Sequence, residues 1–72
     1  MGGLSQILAN RVQAKLPVYG QVHVEPFDYG RRFGASAVKN RQRHAVIVEV
    51  SDYDLTAAAD ECGEALAEWM GL

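Results

Sequence analysis

The stretch from Asp54 to Met70, DLTAAADECGEALAEWM, constrains this chain more than any other. At helical spacing Leu55, Ala58, Ala59, Cys62, Leu66, Trp69 and Met70 share one face, and Asp60, Glu61, Glu64 and Glu68 fall on the opposite one. A helix with an apolar stripe and an acidic back must lay that stripe on a second layer, so the remaining residues have to supply one. Ser51-Asp52-Tyr53-Asp54 offers N-cap oxygens, and its acids suit a helix N-terminus. Gly71 predicts the stop. Inside the helix, Ala59, Gly63 and Ala67 form a small-residue ridge. Gly63 costs roughly 1 kcal/mol relative to alanine, which predicts close approach of another helix, in this chain or in a second copy.

The preceding residues read as one helix and three strands. Met1 to Gly3 is expected to be a loose end. Leu4, Leu8, Val12 and Leu16 recur every fourth residue and predict a helix from Leu4 to Leu16, stopped by Pro17. Arg11 and Lys15 lie at the margin of its stripe, within reach of acids on the last helix. Val18-Tyr19-Gly20 is expected to turn into a strand, Gln21 to Phe27, with Val22 and Val24 on one face and His23, Glu25 and Phe27 on the other. Pro26 donates no backbone hydrogen bond, so that strand is expected to lie at an edge or to end there. Asp28-Tyr29-Gly30 reads as a turn in which Gly30 takes any positive φ. Arg32 to Lys39 follows, with Phe33, Ala35 and Ala37 on one side and Gly34, Ser36 and Val38 on the other. Lys39 to Arg43 is a basic hairpin tip. His44 to Val50 is the third strand, with Val46, Val48 and Val50 inward and Ile47 and Glu49 outward.

The expected fold is therefore α+β: a single domain, residues 1–72, in the order α-β-β-β-α. It is a two-layer sandwich with two helices on one face of a three-stranded antiparallel sheet. A core this small leaves a thin margin of stability, which a partner or a second copy would supplement. The outer sheet face then carries His23, Phe27, Val38 and Ile47 beside Glu25 and Glu49 without intramolecular cover, the mark of an interface if those apolar residues are contiguous.

Charge is strongly polarised. Residues 1–44 hold all seven basic residues and two acids; residues 45–72 hold seven acids and no Lys or Arg, for a net charge of −2 overall. This either neutralises itself across the fold or serves an electrostatic role toward a partner. Hydrophobic residues make up 49% of the chain, which excludes a disordered polyelectrolyte. No apolar run approaches the roughly 20 residues of a membrane span, and MGGLSQILANR lacks the basic start and apolar core of a signal peptide. With Cys62 as the one cysteine, the expected location is cytoplasmic.

Catalytic chemistry finds little support. Cys62 falls mid-way along the apolar helix face, where a thiol has a raised pKa and is inert. A dyad with it would need His23 or His44 to reach through the sheet, and two histidines with Glu25 or Glu49 make a poor zinc set. The acids of the last helix form a solvated line rather than a pocket. The glycines lack the strand–loop–helix setting of a phosphate loop. No enzyme, metal or cofactor is expected.

Binding is better supported. Arg31, Arg32, Lys39, Arg41 and Arg43 are candidate phosphate contacts, set at opposite ends of the middle strand. The α-β-β-β-α order resembles the double-stranded-RNA-binding domain. That resemblance implies basic residues at the start of the last helix, where this chain has acidic Ser51-Asp52-Tyr53-Asp54; the analogy therefore extends to fold and not to function. A line of carboxylates imitates a phosphate backbone, and short, cysteine-poor, acidic-faced chains resemble the small phage-encoded inhibitors, the anti-CRISPR proteins included. That resemblance implies a non-enzymatic inhibitor that binds a basic, nucleic-acid-handling host protein. The partner-binding residues are then Asp60, Glu61, Glu64 and Glu68, with His23, Phe27 and Ile47 on the sheet. Alternatively, the helix ending KLP, followed by VHVEPF and AVIVEV, resembles the start of phage tail-completion proteins, which implies a homo-oligomer. A nucleic-acid binder acting through the basic hairpin is the further alternative.

Overall fold

The computed structural model describes residues 3–16 and 21–71. Helix α1 spans Gly3–Ala14, strand β1 His23–Phe27, β2 Arg32–Lys39, β3 Gln42–Glu49 and helix α2 Leu55–Met70, with one 3-10 turn at Asp28–Gly30. The fold is α+β in the order α-β-β-β-α. The sheet is an antiparallel meander, β1-β2-β3. The expected stop at Pro17 and turn at Val18-Tyr19-Gly20 lie outside the described residues.

Register sets the two faces. Val24 pairs with Ala35 and Ala35 with Val46, while Phe33 pairs with Val48 and Ala37 with His44. Alternation therefore gathers these side chains on the face the helices cover. Phe33, Ala35 and Ala37 of β2 are buried against Leu8, Val12 and Leu16 from the first helix and its exit, and against Ala58, Ala59, Cys62, Leu66 and Met70 of α2. The central strand carries small residues where α2 lies across it, while α1 lies over β1. Phe33, with no exposed surface, fills the remaining space.

The helices run side by side in the same direction, since Arg11 meets Asp60 and Lys15 meets Glu64. Gly63 faces α1: a Cβ built there would stand 2.7 Å from Lys15 Cγ, 3.1 Å from its Cβ and 3.4 Å from Val12 Cα. The small-residue ridge is thus occupied within the chain at Gly63. Asp54 caps α2 by accepting from the Ala57 N–H at 3.0 Å. Gly71, at φ 80°, closes it by donating to the Ala67 and Glu68 carbonyls.

Several boundaries differ from expectation. Gly3 begins α1 rather than belonging to a loose end, and α1 ends at Ala14. Lys15 and Leu16 then donate to the carbonyls three residues back, a tightened final turn that still buries Leu16. Leu4 does not join the core; it is 54% exposed, as is Ile7 at 55%. β1 starts at His23, since Gln21 has φ 61°. β3 starts two residues early, because the hairpin tip is only Asn40-Arg41. Both have positive φ, 53° and 66°, which is the two-residue turn whose twist matches the strands. In the other turn Gly30 takes the expected positive φ, and Asp28 and Tyr29 take it as well.

Candidate functional site: the outer face of the sheet

The face turned away from the helices carries the two-strand row Val38–Arg43 and three rows that cross all three strands. The latter are Phe27–Arg32–Glu49, Glu25–Gly34–Ile47 and His23–Ser36–Ala45. Gly34 and Ser36 are buried although no described element lies over them. Their neighbours lean across. A Cβ on Gly34 would stand 2.7 Å from Phe27 Cε2 and 3.5 Å from Ile47 Cγ1, so the missing side chain is the seat of the Phe27 ring. Arg43 closes the Ser36 side, donating to its Oγ at 2.8 Å. The result is a shallow, mainly apolar depression of about 120 Å³ between Phe27, Ile47, His23 and Ala45, with Glu25 on its border. Ile47 remains 60% exposed and Phe27 37%. His23, Phe27 and Ile47 border the same depression; the part played by Gly34 is legible only from register.

The acids of α2 divide. Asp60 and Glu64 lie on the side of α2 next to α1, and Glu64 remains exposed there. Asp60 accepts from Arg11 Nε at 3.1 Å and Nη2 at 2.7 Å, and Glu64 lies 3.7 Å from Lys15 Nζ. A helical wheel orders residues around one axis and says nothing of a helix lying alongside. The Arg11 hydrogen bond holds the Asp60 carboxyl below the usual carboxylate range, against a smaller opposing effect of burial. Glu61 and Glu68 are exposed, with no cation paired to them among the described residues. Glu61 also borders a depression of about 200 Å³ shared with Glu49, Asp52 and Asp54. Asp54 is held below the usual range by the Ala57 N–H and then by the Thr56 hydroxyl.

The cations do not form one surface. Arg31 and Arg32 open β2, and Arg32 bonds Asp28 at 3.2 Å. They line an open cleft of about 520 Å³ with Asp28, Tyr29, Glu49 and Val50, where two carboxylates offset the two guanidinium groups. At the far end only Arg41 occupies the turn. Lys39 lies on the inner face and donates to the Met70 carbonyl, completing the end of α2. Arg43 is committed to Ser36.

Catalytic groups stay apart. Cys62 is fully buried and its Sγ lies 3.7 Å from the Phe33 carbonyl. Burial, with some help from Glu61, pushes the thiol up to about 11. His23 lies on the outer face, across the sheet from Cys62. His44 stacks on Trp69, ring centroids 4.7 Å apart and 15° from parallel. This pairing between the start of β3 and the last turn of α2 had no signal in either segment alone. Among the described residues no group of three His, Cys, Asp or Glu side chains is placed to hold a metal ion. No described helix is long and apolar enough to cross a membrane.

Comparison with protein-family models, with curated proteins and with solved structures finds no match to this chain.

Proposed function

We propose that this chain is a non-enzymatic protein-binding module whose docking surface is the outer face of the sheet. The observation that carries the reading is the Phe27–Gly34–Ile47 arrangement. Two large apolar side chains lie exposed over a glycine on a face that no described element covers, which costs free energy in water and returns it when a partner covers them. Glu25 and Glu49 stand beside those residues in the same cross-strand rows, and Glu61 and Glu68 add exposed negative charge on α2. The matching partner presents an apolar side chain set among arginines and lysines. Surfaces of that chemistry line nucleic-acid-binding grooves, so the form of function we favour is inhibition of a nucleic-acid-handling complex, in the manner of small phage-encoded inhibitors. The apolar floor supplies affinity, and the acids supply rate and orientation.

The test is binding to an immobilised arginine-rich peptide carrying one aliphatic anchor. Phe27→Ala with Ile47→Ala should weaken binding at least roughly tenfold. Glu61→Lys with Glu68→Lys should chiefly slow association and reduce its salt dependence. Unchanged binding by both double variants rejects the reading.

A second reading, a structural protein that assembles with copies of itself, is favoured by the free edge of β3.

A further inference from the structure

The two edges of the sheet are not equivalent. Val50 donates to the Arg31 carbonyl at 2.8 Å, which makes Arg31–Val50 a hydrogen-bonded pair. In an antiparallel ladder such pairs alternate. Along β3 the backbone groups of His44, Val46 and Val48 therefore point to β2, and those of Arg43, Ala45, Ile47 and Glu49 point outward. No described strand meets them. By the same alternation β1 turns Val24 and Pro26 outward, and Pro26 has no N–H to offer. The β1 edge is thus blunted by proline. The β3 edge has no proline, no glycine and no break in its register with β2.

We propose that β3 is a self-association edge at which two copies of this chain pair antiparallel about a two-fold axis at Val46. The choice of a second copy rests on charge. Arg43 and Glu49 flank Val46 at equal spacing, point their backbone groups outward and place their side chains on the same outer face. In that register Arg43 of each copy stands directly opposite Glu49 of the other. Ala45 faces Ile47 on the outer side, and Val46 faces its own counterpart on the inner side. Directly opposed ion pairs of this kind stabilise antiparallel strands, whereas like charges there oppose pairing. A shift of the register by two residues breaks both ion pairs, and a shift by one sets outward-pointing backbone groups opposite inward-pointing ones, so no ladder forms. Arg43 keeps its bond to Ser36, since a guanidinium has further donors. The product is a six-stranded sheet whose two outer faces form one continuous surface. It is an isologous assembly, and pairing along β3 leaves each copy's β1 edge blunted, so it closes at the dimer.

Charge exchange tests this. Light scattering after size exclusion at low salt should give twice the chain mass for the natural sequence. Arg43→Glu alone and Glu49→Arg alone should each fall to the single-chain mass, with circular dichroism confirming that both are folded. An equimolar mixture of the two variants should recover the dimer mass, since their strands complement each other. The double variant R43E/E49R should recover it alone. The proposal is overturned if the natural chain stays at single-chain mass up to millimolar concentration. It is equally overturned if a dimer persists in both single variants, or if neither the mixture nor the double variant restores it.

Discussion

Gly63 on α2 lies against Lys15 of α1 so closely that an added Cβ would stand 2.7 Å from the lysine Cγ. This is a structural reason for a glycine inside a 16-residue helix. The alanine that local propensity favours would have to push into Lys15 and toward the backbone at Val12. Gly63→Val should lose about 2 kcal/mol or more, as overpacking and β-branching act together. Gly63→Ala should lose less, because roughly 1 kcal/mol of helix propensity offsets the clash. Urea unfolding of both variants checks this, and a stabilised Gly63→Val would show that the helices separate freely.

Acid should destabilise the fold through Asp54 and Asp60. Both carboxyls are held below their ordinary value of 3.8, one by the α2 cap and the other by Arg11. A depressed folded value means that the stability each adds is fully present above the unfolded value. That stability is lost as pH falls through the folded value. The thermal midpoint should be flat from about pH 7 to 5 and fall below about pH 4, and Asp54→Asn with Asp60→Asn should flatten that fall. A midpoint that rises on acidification contradicts the assignment.

Much of this architecture follows from local pattern, and the exceptions have physical causes. Alternation in β1, β2 and β3 assigns Val24, Ala35 and Val46 to the core and His23, Phe27 and Ile47 to the outer face without any tertiary information. Asp54 and Gly71 read as caps because each satisfies orphan backbone groups by its own chemistry. Leu4 keeps the four-residue period yet lies outside the core, because period alone does not say where a helix passes beyond the layer it covers. In the Asn40-Arg41 turn asparagine tolerates the left-handed region, but an arginine stands where glycine is usual, so composition does not mark the turn's length. The Arg11–Asp60 bond was legible as reach, from Arg11 at the margin of its stripe, but its cost to the supposed acidic face was not. The seat of Phe27 on Gly34 depends on cross-strand register, which no single segment encodes.

Cys62 should behave as a reporter of opening and not as a nucleophile. It is buried and its thiol is pushed up to about 11, so little thiolate exists at pH 8. Reaction with a disulfide reagent should be slow in native buffer and accelerate with urea in step with unfolding. Labelling of the native protein at the rate of a free cysteine would place the thiol at the surface.

The only tryptophan, Trp69, stacks on His44 and gives a direct optical probe of how β3 docks against α2. Removing the imidazole in His44→Ala should alter Trp69 emission, with a red shift as water reaches the exposed ring face. The expected loss of stability is about 0.5–1.5 kcal/mol. An identical spectrum would mean that the two rings do not meet in solution.

The most direct test of the binding account is a map of backbone amide shifts as the arginine-rich peptide with an aliphatic anchor is added. The account predicts perturbations centred on His23, Phe27, Gly34 and Ile47, with a weaker set at Glu25 and Glu49 in the same rows. Shifts confined to Arg31, Arg41 and their neighbours, or the absence of any shifts at saturating peptide, would contradict it.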